Sequence, residues 1–353
     1  MTGHGGNIHE ASRKTGIPPE RILDFSASIN PLGLPKPAAA AILKGMRLLP
    51  HYPEPYAGSL TACIARHYDL APESLLCGNG STELIYLIPR VLRPKKVLIT
   101  APAFSEYERA CTRSRKSEVT CQKLTREDNF AIDPDSFIRS MRDCNMAFLC
   151  NPNNPTGRLL GKKAVLKIAG AARRRRCYLV VDEAFMDFCP DETVMQYVRR
   201  NPYLIVLRSL TKFYALAGLR IGFGIFPLKV AQEMKKYKEP WTINSLADAA
   251  ARAALQDSGY QAKSLATMQR EKRFIEKSLR QAGISFVPSE ANYYLIRISN
   301  ASAVIRTLTR KGILVRDCSN FAGLDEAYIR IAVRSRRENA ILMKELSAIC
   351  AGS

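Results

Sequence analysis

The chain is poor in negative charge. Its 353 residues hold 32 aspartates and glutamates against 53 lysines and arginines, a formal net charge of +21 at pH 7. Only four histidines and one tryptophan are present, and the ten cysteines show no C-x-x-C spacing. That leaves neither a zinc-ligand pattern nor a disulfide framework. Cys77, Cys150 and Cys177 lie in apolar, strand-like runs, where a thiol acts as a small hydrophobe. A reduced, cytosolic chain without disulfides or a metal site is therefore expected. No run reaches the roughly 18 apolar residues of a membrane span. The start, Met1 to Asn7, lacks the basic-then-apolar pattern of a secretory signal. A positive surplus attracts phosphates, yet no helix-turn-helix, zinc finger or RNA-binding aromatic motif accompanies it. Arg173-Arg174-Arg175-Arg176 falls at the end of a predicted helix, where cations complement the dipole, and reads as a solvated face. Neither nucleic acid nor membrane is expected as a partner. The surplus can still steer small anionic substrates.

What is present is ordinary globular material, 46% hydrophobic and 24% charged, in a chain long enough for two domains. Residues 1–35 carry special residues in place of periodicity: His4-Gly-Gly-Asn7, then Asp24-Phe-Ser-Ala-Ser-Ile-Asn-Pro-Leu-Gly33. Embedded Ile22, Leu23, Phe25 and Ile29 favour an ordered arm over a loose terminus. From about 57 to 245, helical stretches near 58–68, 81–92, 162–175 and 228–237 interleave with apolar runs. The runs are 97–100, 147–150, 178–182, 204–207 and 221–226. Apolar at nearly every position, they read as strands buried on both faces, hence an α/β fold around a mostly parallel sheet. After Trp241, helices around 245–256 and 260–282 lead to strands at 293–298, 313–316 and 328–333, a smaller α+β domain. The expected division is an arm over residues 1–40, a large domain over 41–245 and a small domain over 246–353.

The chemistry centres on Arg208-Ser-Leu-Thr-Lys-Phe-Tyr-Ala-Leu-Ala-Gly-Leu-Arg220. Lys212 follows a buried strand, where α/β folds place ligands. Desolvated beside Arg208 and Arg220, its amine would have a lowered pKa and could form a Schiff base. By itself it could equally be a solvated loop lysine. Ser209 and Arg220 bracket it at positions suited to an anion. Four further motifs fall at strand ends. Gly78-Asn-Gly-Ser-Thr-Glu83 opens a helix whose free N–H groups suit a phosphate, or is merely a tight turn. Ala101-Pro-Ala-Phe-Ser105 offers Phe104 as a plate for a flat ring, or as core. Asn151-Pro-Asn-Asn-Pro-Thr-Gly157 makes a rigid loop projecting Asn154. Asp182 ends an apolar strand and needs a cationic partner, either a pyridinium nitrogen or an arginine. Ambiguous one by one, together they describe a pyridoxal phosphate site.

NPNNPTG over 151–157, Asp182-Glu-Ala-Phe185 and SLTKFYALAGLRIG over 209–222 resemble the fold-type-I pyridoxal phosphate enzymes of the aspartate-aminotransferase group, along essentially the whole chain. The resemblance implies a large domain with a mostly parallel, seven-stranded-type sheet. It implies Lys212 as the cofactor-carrying lysine, Asp182 as partner of the ring nitrogen, Asn154 on the ring oxygen and Phe104 stacked. Gly80, Ser81, Thr82, Ser209 and Arg220 would hold the cofactor phosphate. Tyr52 would reach the phosphate in a neighbouring subunit, implying a homodimer with shared sites, and Arg330 would clamp the substrate carboxylate.

Two branches of that group compete. Histidinol-phosphate aminotransferases share NPNNPTG and LAGLR. Threonine-phosphate decarboxylases of cobalamin biosynthesis also share His4-Gly-Gly-Asn7, Asp24-Phe-Ser-x-x-Ile-Asn-Pro-Leu-Gly33, Arg208-Ser-Leu-Thr-Lys-Phe-Tyr214, Pro240-Trp-Thr-Ile-Asn244 and Tyr328-Ile-Arg-Ile-Ala-Val-Arg-Ser335. Phe185, where the aminotransferases usually have tyrosine, is similar to the decarboxylases. This branch implies a phosphorylated amino acid substrate whose phosphate meets His4, Ser28 and Arg316. Ser28 stands where the branch usually has asparagine, and a hydroxyl offers one donor against the amide's two. An aminotransferase is the runner-up and a cofactor-binding regulator the distant third.

Overall fold

The computed structural model describes residues 5–115 and 117–351. Its centre is a seven-stranded sheet in spatial order Leu75–Asn79, Ile221–Ile225, Leu204–Ser209, Tyr178–Asp182, Met146–Cys150, Lys96–Ala101 and Glu118–Lys123. The last five run parallel to one another, while Ile221–Ile225 is antiparallel to both its neighbours. The inner strands are buried along their length, apart from the half-buried first residues Lys96 and Tyr178, which is why they read as apolar runs. Alternation divides their side chains between two cores. Val180, Ile205, Leu207 and Phe148 pack on one face with the helices Ser81–Leu92 and Glu106–Arg115. Val181, Val206, Leu149 and Leu179 pack on the other with Lys162–Arg175 and Ser245–Leu255. Each such side chain, removed from water, contributes roughly 1.5–3 kcal/mol.

A four-stranded antiparallel sheet follows, in order Arg316–Asp317, Tyr328–Ala332, Tyr293–Arg297 and Ser285–Phe286. It is covered by the helices Ser258–Gln281, Ala301–Arg310 and Arg336–Ala351. The single strand expected over 313–316 is in fact two. Ile313–Leu314 pairs in parallel with Leu23–Asp24, and Arg316–Asp317 joins the four-stranded sheet. Val315 is the break, and the change of partner turns Arg316 toward the cleft. Among the described residues no helix is long and apolar enough to cross a membrane.

The N-terminal segment is ordered, as its apolar residues imply. Phe25 is fully buried, and its N–H donates to the Leu314 carbonyl while its own carbonyl accepts from Ala332. Asp24 Oδ1 accepts from the N–H and hydroxyl of Ser26 and from the N–H of Ala27, folding a tight turn. Asn30 then bridges to the loop that carries Lys212. Its N–H donates to the Lys212 carbonyl at 3.0 Å, and its amide donates to the Phe213 carbonyl at 2.7 Å. This lacing presents Ser26 and Ser28 to the space above Lys212.

Candidate active site

That space is a cavity of about 610 Å³ between the two sheets, at the carboxyl ends of the parallel strands. Lys212, Phe104, Asn154 and Thr82 line it from the large-sheet side, with Arg220 at the rim. Ser28, Arg316 and Arg330 line the opposite side. Eight residues named from the sequence thus meet in one cavity. Tyr52 does not join them: it is 88% exposed, tilted against Trp241 at 5.7 Å between ring centroids. His4 lies outside the described residues.

Lys212 is half-buried on the cavity floor, its Nζ donating to Thr211 Oγ1 at 2.8 Å. Desolvation pulls its pKa down to about 8, helped by the charges of Arg220 and Arg330 and opposed by Asp182. The expectation that Arg208 also acts on it is wrong. Alternation along Leu204–Ser209 turns Arg208 to the far face, where it pairs with Glu183 at 3.2 Å and with Asp187, its guanidinium over the Tyr68 ring. That arginine is 1% exposed, and Glu183 is fully buried.

Asp182 is 3% exposed and, among the described residues, pairs with no arginine. Its Oδ2 accepts from the Tyr107 phenol at 2.6 Å and its Oδ1 from the Ala184 N–H at 3.1 Å. Burial raises its pKa, against the pull of those two bonds and of Lys212. Tyr107, not singled out by sequence, is held by stacking on Phe148 and by an edge contact with Phe104. Its place one turn beyond Phe104 in a new helix was the available signal.

On the other wall Arg330 donates to Asn154 Oδ1 and, at 3.0 Å, to the Ser26 carbonyl, with its guanidinium 4.9 Å from the Tyr293 ring. Tyr293 in turn donates to the Asn153 carbonyl at 2.8 Å. Phe185 packs edge-on to Tyr293.

Two observations fit this cavity to phosphorylated ligands. The helix Ser81–Leu92 has glycine at its N-cap and no side-chain cap, so the Ser81 and Thr82 N–H groups face outward for an anion, while that of Glu83 donates to the Gly80 carbonyl. A side chain at Gly80, where φ is +74°, would meet Arg220 Nη2 at 2.7 Å, so that glycine lets the guanidinium close over the helix start. Arg220 itself takes the left-handed conformation at φ 56°, a costly choice for a non-glycine residue. Ser209 is buried close by, its hydroxyl bonded to that of Thr211. Two buried hydroxyls, Ser28 Oγ and Thr100 Oγ1, have no partner among the described residues and belong to residues lining the cavity. Orphaned polar atoms at a cleft wall await a ligand or water.

A model of aminotransferase class I and II matches residues 20–346. The chain belongs to that family. Within the class I and II aminotransferases it resembles a threonine-phosphate decarboxylase of Salmonella typhimurium, 36% identical over 356 aligned residues that cover 99% of this chain and 97% of the relative. Among solved structures, an L-threonine-O-3-phosphate decarboxylase from Porphyromonas gingivalis superposes with a TM-score of 0.83 at 27% identity, over 94% of this chain and 100% of that one. A histidinol-phosphate aminotransferase from Clostridium acetobutylicum gives 0.88 at 29% identity, over the same shares. Fold likeness alone therefore does not separate decarboxylase from aminotransferase, and the distinction rests on sequence and on the cavity's wall.

Proposed function

We propose that this class I and II aminotransferase is a pyridoxal phosphate-dependent decarboxylase. It converts L-threonine O-3-phosphate to (R)-1-amino-2-propanol O-2-phosphate and carbon dioxide, a step of adenosylcobalamin biosynthesis, and it works as a homodimer. The observation that carries this reading is two separate anion-holding groups in one cavity, the free helix start with Arg220 on one wall and Arg316 with Ser28 on the other. An amino acid bearing its own phosphate needs both, one for the cofactor and one for itself. Arg330 supplies a third cation for the carboxylate.

When bound, pyridoxal phosphate supplies the electron sink for the pair left on the α-carbon as carbon dioxide departs. The residues divide the remaining work. Gly80, Ser81, Thr82, Ser209 and Arg220 would hold the cofactor phosphate, Phe104 and Asn154 its ring. Asp182 would hold a proton on the ring nitrogen. Lys212 would carry the cofactor, and its ammonium would hold the proton returned to the α-carbon. Arg316 and Ser28, with the arm over residues 1–40, would grip the substrate phosphate, a dianion making strong charge-assisted bonds. Fixing that end would orient the bonds at the α-carbon. In this reading residues 41–245 bind cofactor and residues 246–353 bring Arg316 and Arg330 to it.

The test is product analysis. Purified protein loaded with cofactor should release carbon dioxide from phosphothreonine without accumulating pyridoxamine phosphate, and should barely turn over histidinol phosphate with 2-oxoglutarate. Stoichiometric pyridoxamine phosphate and glutamate, with no carbon dioxide, would make it an aminotransferase.

A further inference from the structure

Arg316 is a buried arginine without a counter-ion. It is 9% exposed, and among the described residues no carboxylate oxygen lies within 4.0 Å of its guanidinium. Asp317, next in the chain, instead accepts at its Oδ1 from the Ser319 N–H at 2.9 Å. Burial lowers the arginine's pKa and the neighbouring Arg330 acts in the same direction, against the opposing pull of Cys318 and Asp317. A charge kept this way is costly unless something will pair with it.

Two neutral groups hold it. Asn320 Oδ1 accepts from Arg316 Nη2 at 2.8 Å, and the Phe321 ring lies 5.1 Å from its Cζ. Both residues line the cavity. Phe321 is anchored against Leu124, Phe130 and Cys318. Two residues on, Gly323 at φ +85° passes so close to the Ala101 carbonyl that a Cβ would stand 3.3 Å from it. The loop is thus seated on the strand end that leads into Phe104. An amide oxygen and an aromatic face orient a guanidinium but leave its charge unspent.

We infer that Asn320 and Phe321 are positioning residues for the substrate phosphate, and that the neutrality of position 320 keeps Arg316 available to a dianion. The inference rests on the proposed role of Arg316 as phosphate ligand. An aspartate at 320 has the same length and accepts the same hydrogen bond, but it would neutralise the guanidinium and repel the incoming phosphate. A residue serving only to brace the loop would tolerate that exchange. One setting the charge would not.

The experiment compares cofactor-loaded parent, Asn320→Asp, Asn320→Ala and Phe321→Leu by KM and kcat for phosphothreonine and by calorimetric binding of inorganic phosphate. Asn320→Asp should raise KM about tenfold or more, the scale of losing a hydrogen bond to a charged group. It should weaken inorganic phosphate in parallel, with cofactor absorbance unchanged. Asn320→Ala and Phe321→Leu should show smaller rises in KM, with kcat held within about twofold by the same reasoning that binding and chemistry separate. Asn320→Asp with parental KM and parental phosphate binding would overturn the inference. A parent that leaves phosphothreonine untouched would overturn the proposed function alone, since inorganic phosphate binding still compares Asn320→Asp with Asn320→Ala. A parent that binds no inorganic phosphate would overturn the inference as well.

Discussion

The phenol of Tyr107 donates to Asp182 Oδ2 at 2.6 Å, and the Ala184 N–H donates to the other oxygen. These two bonds are what a carboxylate at the buried end of a strand has in place of an arginine. An arginine there would satisfy Asp182 permanently and leave it nothing for a ring nitrogen. A neutral phenol supports the charge without cancelling it. Tyr107→Phe should leave one oxygen unpaired and shift Asp182 further toward its protonated form. Cofactor retention should fall by roughly 1.5–3 kcal/mol, the worth of a hydrogen bond to a charged group. Spectrophotometric cofactor dissociation checks this. Parental retention, with an unaltered pH titration of the cofactor band, would show the phenol to be mere packing.

Lys212 yields a prediction with a definite sign. Its folded-state pKa of about 8 lies below the ordinary lysine value. A protonated lysine there is disfavoured, so the cofactor-free protein bears the full cost below about pH 8 and recovers it as pH rises toward about 10.4. The difference corresponds to about 3 kcal/mol at 1.36 kcal/mol per unit. Lys212→Met keeps the bulk and drops the charge. Without cofactor it should resist urea better than the parent at pH 7, and the gap should close above about pH 10. It should also bind pyridoxal phosphate with no linkage that borohydride can fix. Equal urea midpoints at pH 7 would mean that water reaches the amine and the site is less desolvated than its geometry implies.

Much of this was legible because a parallel sheet covered on both faces writes itself as apolar runs. Tyr178–Asp182 and Leu204–Ser209 stood out for that reason. Glu118–Lys123 did not: as an edge strand it is only intermittently buried and carries charge at both ends. The site residues at strand ends were legible for a related reason, since a carboxylate or lysine closing an apolar run has few bland explanations. Direction was not. Asp182 and Glu183 are adjacent yet face opposite cores, and Arg208 follows Glu183 away from Lys212. Strand alternation held that information, but the exact strand end was needed to apply it. Tyr107, Asn320 and Phe321 act through other side chains, and such roles exist only once the chain is folded.

The Arg208 cluster is a stability element beneath the catalytic floor. Arg208 meets Glu183, Asp187 and the hydroxyl of Thr193 in a region closed to water. Removing one partner of a buried pair costs about 3–5 kcal/mol, because the other charge is stranded. Arg208→Met should destabilise by that order in urea unfolding. Burial already raises the Glu183 pKa, against the pull of Arg208. Without the arginine it must rise further, so Glu183 would fold protonated and the deficit should widen as pH climbs above the free glutamate value of about 4.3. A deficit independent of pH between 5 and 8 would place the loss in packing and not in charge.

Tyr52 fits the proposed dimer, because in its own chain it touches the Trp241 ring but does not reach the cavity. It is 88% exposed beside Trp241, and Leu43, Met46, Leu48, Leu49 and Tyr56 are exposed on the same stretch of chain. Uncovered apolar clusters mark interaction sites, and in the proposed dimer a second copy of this chain would cover this one and put Tyr52 to use at a phosphate. If Tyr52 completes the partner's site, two defective variants should rescue each other. Lys212→Ala destroys its own site but still lends Tyr52. Tyr52→Ala keeps Lys212 but lends nothing. Mixed after partial unfolding and reassembly, half the dimers should be hybrids with one intact site of two, restoring roughly a quarter of parental activity for a two-fold assembly. Glutamates at Leu48 and Leu49 should meanwhile give monomers by sedimentation and abolish the rescue. Activity of the mixture no greater than the sum of the two variants would mean that each site is built from a single chain.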